Sequence, residues 1–363
     1  MSAIHHFVPV VHGGDAVGRH TLRLRQATAA RGFTSNIYVD VTEDETASQT
    51  RPVVDYVRDA RPDDVLVYQF ATASYMAAWL TARRETLVVN YHNITPPELI
   101  APWDGYVALG QRTAFDELAA MAPRTTLAVA DSAFNEIHLQ QVGFSHTAVV
   151  PPSAALEHSH LGEHPGVRGE AGGRGARWLS VGRLAPNKSV EDAISALALT
   201  RAHIDPEATL LVIGRPATAA YGEALQRFVA DLGLFGAVTF GGFATDEAVA
   251  SAYAQADVLV VTSEHEGFCV PVVEAMAAGL PVVAFRQGAI PEVVGDAGVV
   301  VDTKDPDALA HTIAALLADG PRRDGLAGRA RARVRALDLD HAAERFVDLL
   351  CDVAGRPGGG GPR

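Results

Sequence analysis

Two glutamates, Glu266 and Glu274, stand eight positions apart in the run TSEHEGFCVPVVEAMAAGLPVVA at 262–284. Pro271 is placed to open a helix, which puts Glu266 in the loop before it and Glu274 in its first turn. Carboxylates recognise neighbouring hydroxyls, so the pair suits a ribose or a hexose. Between them Gly267, Phe268, Cys269 and Val270 can offer backbone donors to a phosphate or a sugar oxygen at the helix start. Helix polarity would account for a lone Glu274, but not for the polar, glycine-containing loop directly ahead of it. In SVGRLAPNKSVEDAI at 180–194, Arg183 and Lys188 share a short strand-to-helix loop. Two cations there would neutralise a diphosphate and stabilise the charge that grows as it departs. The alternative is a solvated loop paired with Glu191 or Asp192, with Asn187 or Ser189 capping the helix. In VHGGDAVG at 11–18, adjacent glycines after a strand permit close approach of backbone to an anion, or form a plain turn.

Positioning such loops takes strands that end where helices begin. Residues 4–11 read as a strand, followed by a helix to about Arg31. Further β-rich runs are SNIYV at 35–39, DVLVYQF at 64–70, TLVVNYH at 86–92, GYVALG at 105–110, TLAVAD at 126–131 and HTAVVPP at 146–152. Nearly continuous apolar strands separated by helix-length segments predict a parallel sheet covered on both faces. The alternation stops at EHSHLGEHPGVRGEAGGRGA, 157–176, and restarts at RWLSVG. The predicted class is therefore α/β, with two Rossmann-like doubly wound domains. Residues 1–156 make an N-terminal domain, 157–176 a linker or mobile loop, and 177–338 the second domain. Residues 339–353 form a C-terminal helix, with Ala342, Phe346, Leu349 and Leu350 on one face, and 354–363 a disordered tail. Asp338–Leu339–Asp340 reads as the cap of that helix.

Composition narrows the function classes. The 363 residues suit two domains at roughly 150 residues each. Thirty basic against 43 acidic residues give a net charge of -13, which argues against a general nucleic-acid binder. Only Lys188 and Lys304 among the basic residues are lysines. Two distant cysteines, Cys269 and Cys351, suggest neither a disulfide scaffold nor a zinc site, and a reducing cytoplasm fits. The start MSAIHHFVPVVHGG lacks signal-peptide features, and no segment is long and apolar enough to span a membrane. Peripheral membrane contact and oligomeric state are left open.

Gly13-Gly14, GRLxxxK at 182–188 and EHEGFCVPVVE at 264–274 together resemble the retaining GT-B glycosyltransferases of family 4, the glycosyl transferases group 1. The resemblance covers nearly the whole chain and implies two domains facing across a cleft, 1–156 as the acceptor domain and 177–338 as the nucleotide-sugar domain. It implies that Gly14 lies near the donor phosphates, Arg183 and Lys188 hold the diphosphate, and Glu266 binds donor-sugar hydroxyls. Amides from Gly267 to Val270 would contact sugar and phosphate. Glu274 would hold the nucleotide ribose, and backbone near Phe243 the base. His92, in NYHNITPPE, matches the family's active-site histidine; by its residues alone it could equally anchor a turn. His12, Asp15, Glu98 and Trp103 are weaker acceptor-binding candidates. Asp131, Asn135 and His138 resemble a motif near the cleft rim, with Asp131 or Ser132 alternatively capping a helix. The C-terminal helix would pack back on the first domain.

The expected activity is retaining transfer of a hexosyl group from a nucleoside-diphosphate sugar to an acceptor hydroxyl, with no metal or other cofactor required. A UDP-sugar is placed ahead of GDP-mannose. A small soluble acceptor is placed ahead of a lipid-linked saccharide, because the arginines of the first helix form no single stripe. The alternatives are a nucleoside-diphosphate-sugar 2-epimerase, a phosphorylase, and a noncatalytic nucleotide- or carbohydrate-binding regulatory subunit.

Overall fold

The computed structural model describes residues 3–11, 15–153 and 175–355. His12, Gly13, Gly14, nearly all of the predicted linker and the tail from 356 onward lie outside the described residues. The chain divides into two compact units. Unit 1 is Met1–Pro97, Val107–Ala154 and Asp338–Arg363; unit 2 is Glu98–Tyr106 and Ala155–Leu337.

Each unit is built on one parallel sheet. The strands of unit 1 are β1 (Ile4–Val10), β2 (Ile37–Val41), β3 (Thr50–Pro52), β4 (Val65–Phe70), β5 (Thr86–Tyr91), β6 (Leu127–Ala130) and β7 (Thr147–Val149). Those of unit 2 are β8 (Arg177–Val181), β9 (Thr209–Ile213), β10 (Val238–Gly242), β11 (Val258–Val261), β12 (Val282–Phe285) and β13 (Val299–Val301). The helices in chain order are α1 (Ala16–Ala30), α2 (Val53–Asp59), α3 (Tyr75–Thr81), α4 (Pro97–Ile100), α5 (Gly105–Met121), α6 (Ala133–Val142) and α7 (Val190–His203). They continue with α8 (Ala219–Asp231), α9 (Asp246–Gln255), α10 (Val270–Ala277), α11 (Ile290–Val294), α12 (Pro306–Ala318), α13 (Gly320–Leu337) and α14 (Ala342–Val353).

The strand orders are β3-β2-β1-β4-β5-β6-β7 and β10-β9-β8-β11-β12-β13. The central strands are buried on both faces, as in β4 (VLVYQF) and β11 (VLVV), because helices cover each side. Connections leave in opposite directions from β1 and β4, and again from β8 and β11. At such a reversal the helix starts splay apart beyond the strand ends and leave room for a ligand.

Two predicted elements differ. GYVALG is not a strand: Gly105–Met121 is helical, with Ala114, Leu118 and Met121 buried at helical spacing while Tyr106 and Leu109 face solvent. Asp338 does not cap its helix through the side chain. Its carboxylate accepts from His341 Nδ1 (2.7 Å) and Arg345 Nη1 (2.5 Å), and its own φ is +50°.

The helix α14 closes unit 1. Ala342, Phe346, Val347, Leu350 and Cys351 pack with Ile4, Leu24, Phe33, Val65, Val67, Val88 and Val129 in one apolar cluster. Their i, i+4, i+5, i+8 and i+9 spacing sets one face against the sheet and α1, and Arg31 Nη2 meets Asp348 Oδ1 at 2.6 Å beside it. Phe346 is fully buried there. Phe346→Ala should therefore cost about 3–5 kcal/mol of stability. Urea unfolding monitored by circular dichroism measures this, and a loss below about 1 kcal/mol would show that α14 is not part of the unit 1 core.

Candidate active site

In unit 2 the residues singled out by chemistry gather beyond the adjacent strands β8 and β11. After β8 the chain makes a short turn at Pro186–Lys188, and Ser189 (φ +46°) launches α7. After β11 it runs through Ser263 and Glu266 to α10. Lys188 Nζ lies 2.6 Å from Glu266 Oε1, and Ser263 Oγ donates to the same oxygen at 2.7 Å. The Glu266 side chain is 7% exposed and that of Lys188 25%. Burial alone would push the Lys188 ammonium down, but the Glu266 carboxylate more than offsets this and holds its pKa above the usual lysine value.

The two loops are tied to each other by backbone. Glu264 N–H donates to Asn187 O (2.8 Å), Asn187 Nδ2 to His265 O (3.1 Å), and Thr262 Oγ1 to Ser189 O (2.8 Å). The expected caps are thereby corrected: Asn187 is used in bridging the loops, and the Ser189 side chain makes no cap bond to α7. Two glycines are required by contact. A Cβ on Gly288 would lie 2.3 Å from Glu266 O, and one on Gly214 1.9 Å from Gly182 O. A cavity of about 10 Å³, room for one water, is lined by residues including Gly182, Lys188, Ser263, Glu266 and Cys269.

Cys269 precedes α10 at φ +72°, a left-handed conformation uncommon outside glycine, and its thiol is buried. Burial first, and then the Glu266 charge, push that thiol well above its ordinary pKa. Phe268 is buried beside it, while Gly267 and Val270 are half-buried. Glu274 is the fifth residue of α10, in the second turn and not the first, because the helix begins at Val270. It is buried, and Tyr253 OH donates to its Oε2 at 2.7 Å. Burial and the Glu274 charge together raise the Tyr253 phenol well above its usual value, so it remains a donor. Arg183 is exposed on the first loop. Leu184 beside it bonds the backbone of Arg215, whose guanidinium lies 4.5 Å from the exposed ring of Phe243.

Unit 1 gathers a second polar group at the carboxyl ends of β4, β5 and β6. His92 Nδ1 meets Asp131 Oδ2 at 2.9 Å, and Nε2 meets the Gln69 carboxamide at 2.8 Å. Gln69 contacts Asn90 (2.8 Å), Asn90 contacts His20 Nε2 (2.9 Å), and His20 Nδ1 accepts from Ser153 N–H (3.0 Å). His20 Nδ1 also lies 2.9 Å from Ser153 Oγ. Asn90 Nδ2 donates to Gln69 Oε1, the same oxygen that His92 Nε2 meets, so the Gln69 carboxamide joins Asn90 to His92. Both ring nitrogens of His92 are thus engaged inside unit 1, with 3% of the side chain exposed.

Among the weaker candidates, Asp15 and Trp103 have structural partners. Asp15 caps α1, accepting from Gly18 N–H at 2.6 Å. Ser132, not Asp131, caps α6 through Asn135 N–H (3.1 Å). His138 Nδ1 is 2.7 Å from Tyr91 OH. Trp103 packs edge-to-face on Tyr221, centroids 4.9 Å apart, within unit 2. Glu98 is exposed on α4. A groove of about 310 Å³ beside α3 and α5, lined by Ala77, Ala78, Thr81, Ala82, Glu117 and Ala120, holds none of the residues picked out by motif. Among the described residues no group of three or more His, Cys, Asp or Glu is placed to hold a metal. None of their helices is long and apolar enough to cross a membrane.

Gln69, Asn90, His20 and Ser153 were not anticipated, nor were Ser263, Tyr253 and Lys304. A signal existed for the first two: each is a lone amide in an otherwise apolar central strand. A buried polar group there needs partners.

Residues 172–333 match the family model described as glycosyl transferases group 1. The chain is 37% identical over 202 residues to a GDP-mannose-dependent alpha-(1-6)-phosphatidylinositol monomannoside mannosyltransferase of Mycolicibacterium smegmatis, covering 49% of this chain and 52% of that protein. It thus spans about half the length of the first curated relatives it matches. A D-inositol 3-phosphate glycosyltransferase of Xylanimonas cellulosilytica is 30% identical over 305 residues, 78% of this chain and 70% of the relative. Among solved structures, Anabaena HepE in complex with UDP and glucose is similar with a TM-score of 0.74 at 20% identity, over 96% of this chain and 100% of that one. Sucrose-phosphate synthase of Thermosynechococcus elongatus is similar with a TM-score of 0.73 at 20% identity, over 98% and 100%. These likenesses show the fold, two Rossmann-like domains of GT-B type.

The buried histidines of unit 1 make stability depend on pH. Burial first, and then neighbouring His5, lower the His6 pKa to about 3; burial and the nearby His92 lower that of His20 well below 6.5. Each binds its proton more readily unfolded, so its contribution is complete above pH 6.5 and lost as pH falls from there toward the folded value. His6 alone should cost about 2 kcal/mol between pH 7 and pH 5, with His20 adding in the same direction. Urea midpoints at the two pH values measure the loss, and an unchanged midpoint would refute neutral burial of these rings.

Proposed function

The chain belongs to the glycosyl transferases group 1 family, and on that premise we propose that it is a retaining glycosyltransferase, moving a hexosyl group from a nucleoside-diphosphate sugar to an acceptor hydroxyl. The observation that carries the reading is the Lys188–Glu266 pair at the β8/β11 reversal. A cation and a carboxylate held at one ligand-binding edge suit the two halves of one donor. Lys188 and the exposed Arg183 take the diphosphate, and Glu266 takes the sugar hydroxyls. The amides from Gly267 to Val270 lie along the entrance of α10, Glu274 receives the ribose, and the backbone at Phe243 the base.

Glu266 Oε1 already accepts from Lys188 and Ser263, which lowers its nucleophilicity and favours hydroxyl binding over covalent attack. Transfer then proceeds on one face of the sugar. The bond from C1 to the β-phosphate oxygen breaks, the bond from C1 to the acceptor oxygen forms, and the acceptor's proton passes to the departing phosphate oxygen. Lys188 and Arg183 stabilise the charge that develops there. His92 acts in this scheme by fixing the loop after β5, not by carrying protons.

For the donor, GDP-mannose moves ahead of a UDP-sugar. Relatives at 34–38% identity are named as GDP-mannose-dependent or as mannosyltransferases, whereas the UDP-bound structures, at 20% identity, speak to fold alone. For the acceptor, an inositol-bearing polyol is favoured, since inositol recurs in the names of relatives from both groups. Thermal-shift ranking of GDP, UDP and ADP tests the base; a larger shift with UDP would overturn the GDP choice.

Because charge grows during departure, Lys188→Ala should lower the rate at saturating donor by about 10²–10³-fold, or roughly 3–4 kcal/mol. Donor affinity should change less, and Lys188→Arg should restore activity only partly. Glu274→Ala should mainly raise the donor KM, because ribose contacts are alike in ground and transition states. Removing Lys188 also strands a buried carboxylate, so thermal melts must accompany the kinetics. Near-normal turnover by folded K188A would remove the catalytic assignment.

A further inference from the structure

The second of the chain's two lysines also lies beside this site, though far along the sequence. Lys304 follows β13, and its Nζ lies 2.6 Å from Asp192 Oδ2 and 2.6 Å from Glu264 Oε1, over the ring of Phe285 at 5.2 Å. Its side chain is 15% exposed. Asp192 stands in the first turn of α7, four residues after Lys188; Glu264 stands two residues before Glu266. Neighbouring carboxylates are engaged elsewhere: Glu191 accepts from Tyr221 OH (2.5 Å), Asp302 pairs with Arg286, and Asp305 caps α12 through Ala308 N–H (2.8 Å).

We infer that Lys304 is a positioning residue for the donor site, an outer ion pair that holds the Glu266 loop against the Lys188 loop. The inference rests on the donor-binding reading above. The inner pair, Lys188–Glu266, must open or be shared when a diphosphate claims Lys188 and a sugar hydroxyl claims Glu266. An outer ammonium bonded to both loops keeps them in register through that exchange without touching the donor. A compact ammonium suits the role, since it can serve two carboxylates from one nitrogen, whereas the planar arginine fork is matched to a single one.

Two oxygens each 2.6 Å from one nitrogen are at most twice that distance apart. Without Lys304 they are like charges at close range, and one takes up a proton more readily. Lys304→Met should therefore raise the donor KM about 10-fold at neutral pH, with a smaller change in kcat. The defect should shrink as pH falls into the carboxylate range, while wild type shows no such recovery. Glu264→Gln added to K304M should relieve the repulsion and recover part of the KM at neutral pH, and Lys304→Arg should rescue partly. Steady-state kinetics across pH, beside thermal melts and the K188A control, decide the matter. If K304M melts early, E264Q alone, which removes one charge of the clamp, should still raise the KM severalfold. Wild-type kinetics for folded K304M, or for E264Q, with K188A inactive would overturn the positioning role alone. Wild-type kinetics for K188A as well would instead overturn the donor-site reading beneath it. A KM defect in K304M that is flat with pH would refute the electrostatic clamp.

Discussion

Nearly everything in unit 2 that bears on chemistry depends on keeping one ammonium and one carboxylate together in a place where neither would choose to be dry. Lys188 and Glu266 come from loops after different strands, and each ion taken out of water costs several kcal/mol unless the other is held close. The surrounding architecture meets that condition. The parallel order places β8 beside β11, and the reversal of chain direction opens the ends of those strands. Gly288 lets a third loop approach the Glu266 backbone where any side chain would collide. Ser263 satisfies the same carboxylate oxygen, and the left-handed backbone at Ser189 and Cys269 turns both chains sharply into helices. A buried pair of this kind adds little net stability, so its value is better sought in what the charges can do.

Unit 1 is organised on a different principle. Its polar centre is a chain of amides and imidazoles that runs from Ser153 to the Asp131 carboxylate. Such a relay confers orientation with little charge. The two polar centres are thus held by different forces, that of unit 2 by Coulombic attraction and that of unit 1 by hydrogen-bond direction.

The sheets were legible because central parallel strands are apolar on both sides, and a run such as VLVV admits few other readings. GYVALG misled for the same reason in reverse. It has a strand's composition, but Tyr106 and Leu109 are exposed, and exposure is not written in a short apolar run. Glu266, Arg183 and Lys188 could be singled out because a charged residue in a glycine-containing loop after a strand is conspicuous, whereas the place of Glu274 within α10 depends on where that helix begins. Gln69 and Asn90 were not, since their meaning rests on register: the two are direct neighbours across β4 and β5. For His92, only the fold shows that Asp131 and Gln69 lie against its two ring nitrogens. Lys304 was noticed as a rarity, and nothing in the sequence connected it to residues so far away.

The helix α14 has a consequence for how the protein is made. Its apolar face completes a core whose other members, from Ile4 to Val129, leave the ribosome first. The whole of the second sheet is synthesised before that face arrives. During translation the early sheet must wait with Leu24, Phe33 and Val65 only partly covered. Unit 2, whose core is drawn almost entirely from one continuous stretch, can close ahead of it. The core of unit 1 is thus completed last in synthesis, and its N-terminal strands wait longest for the helix that covers them.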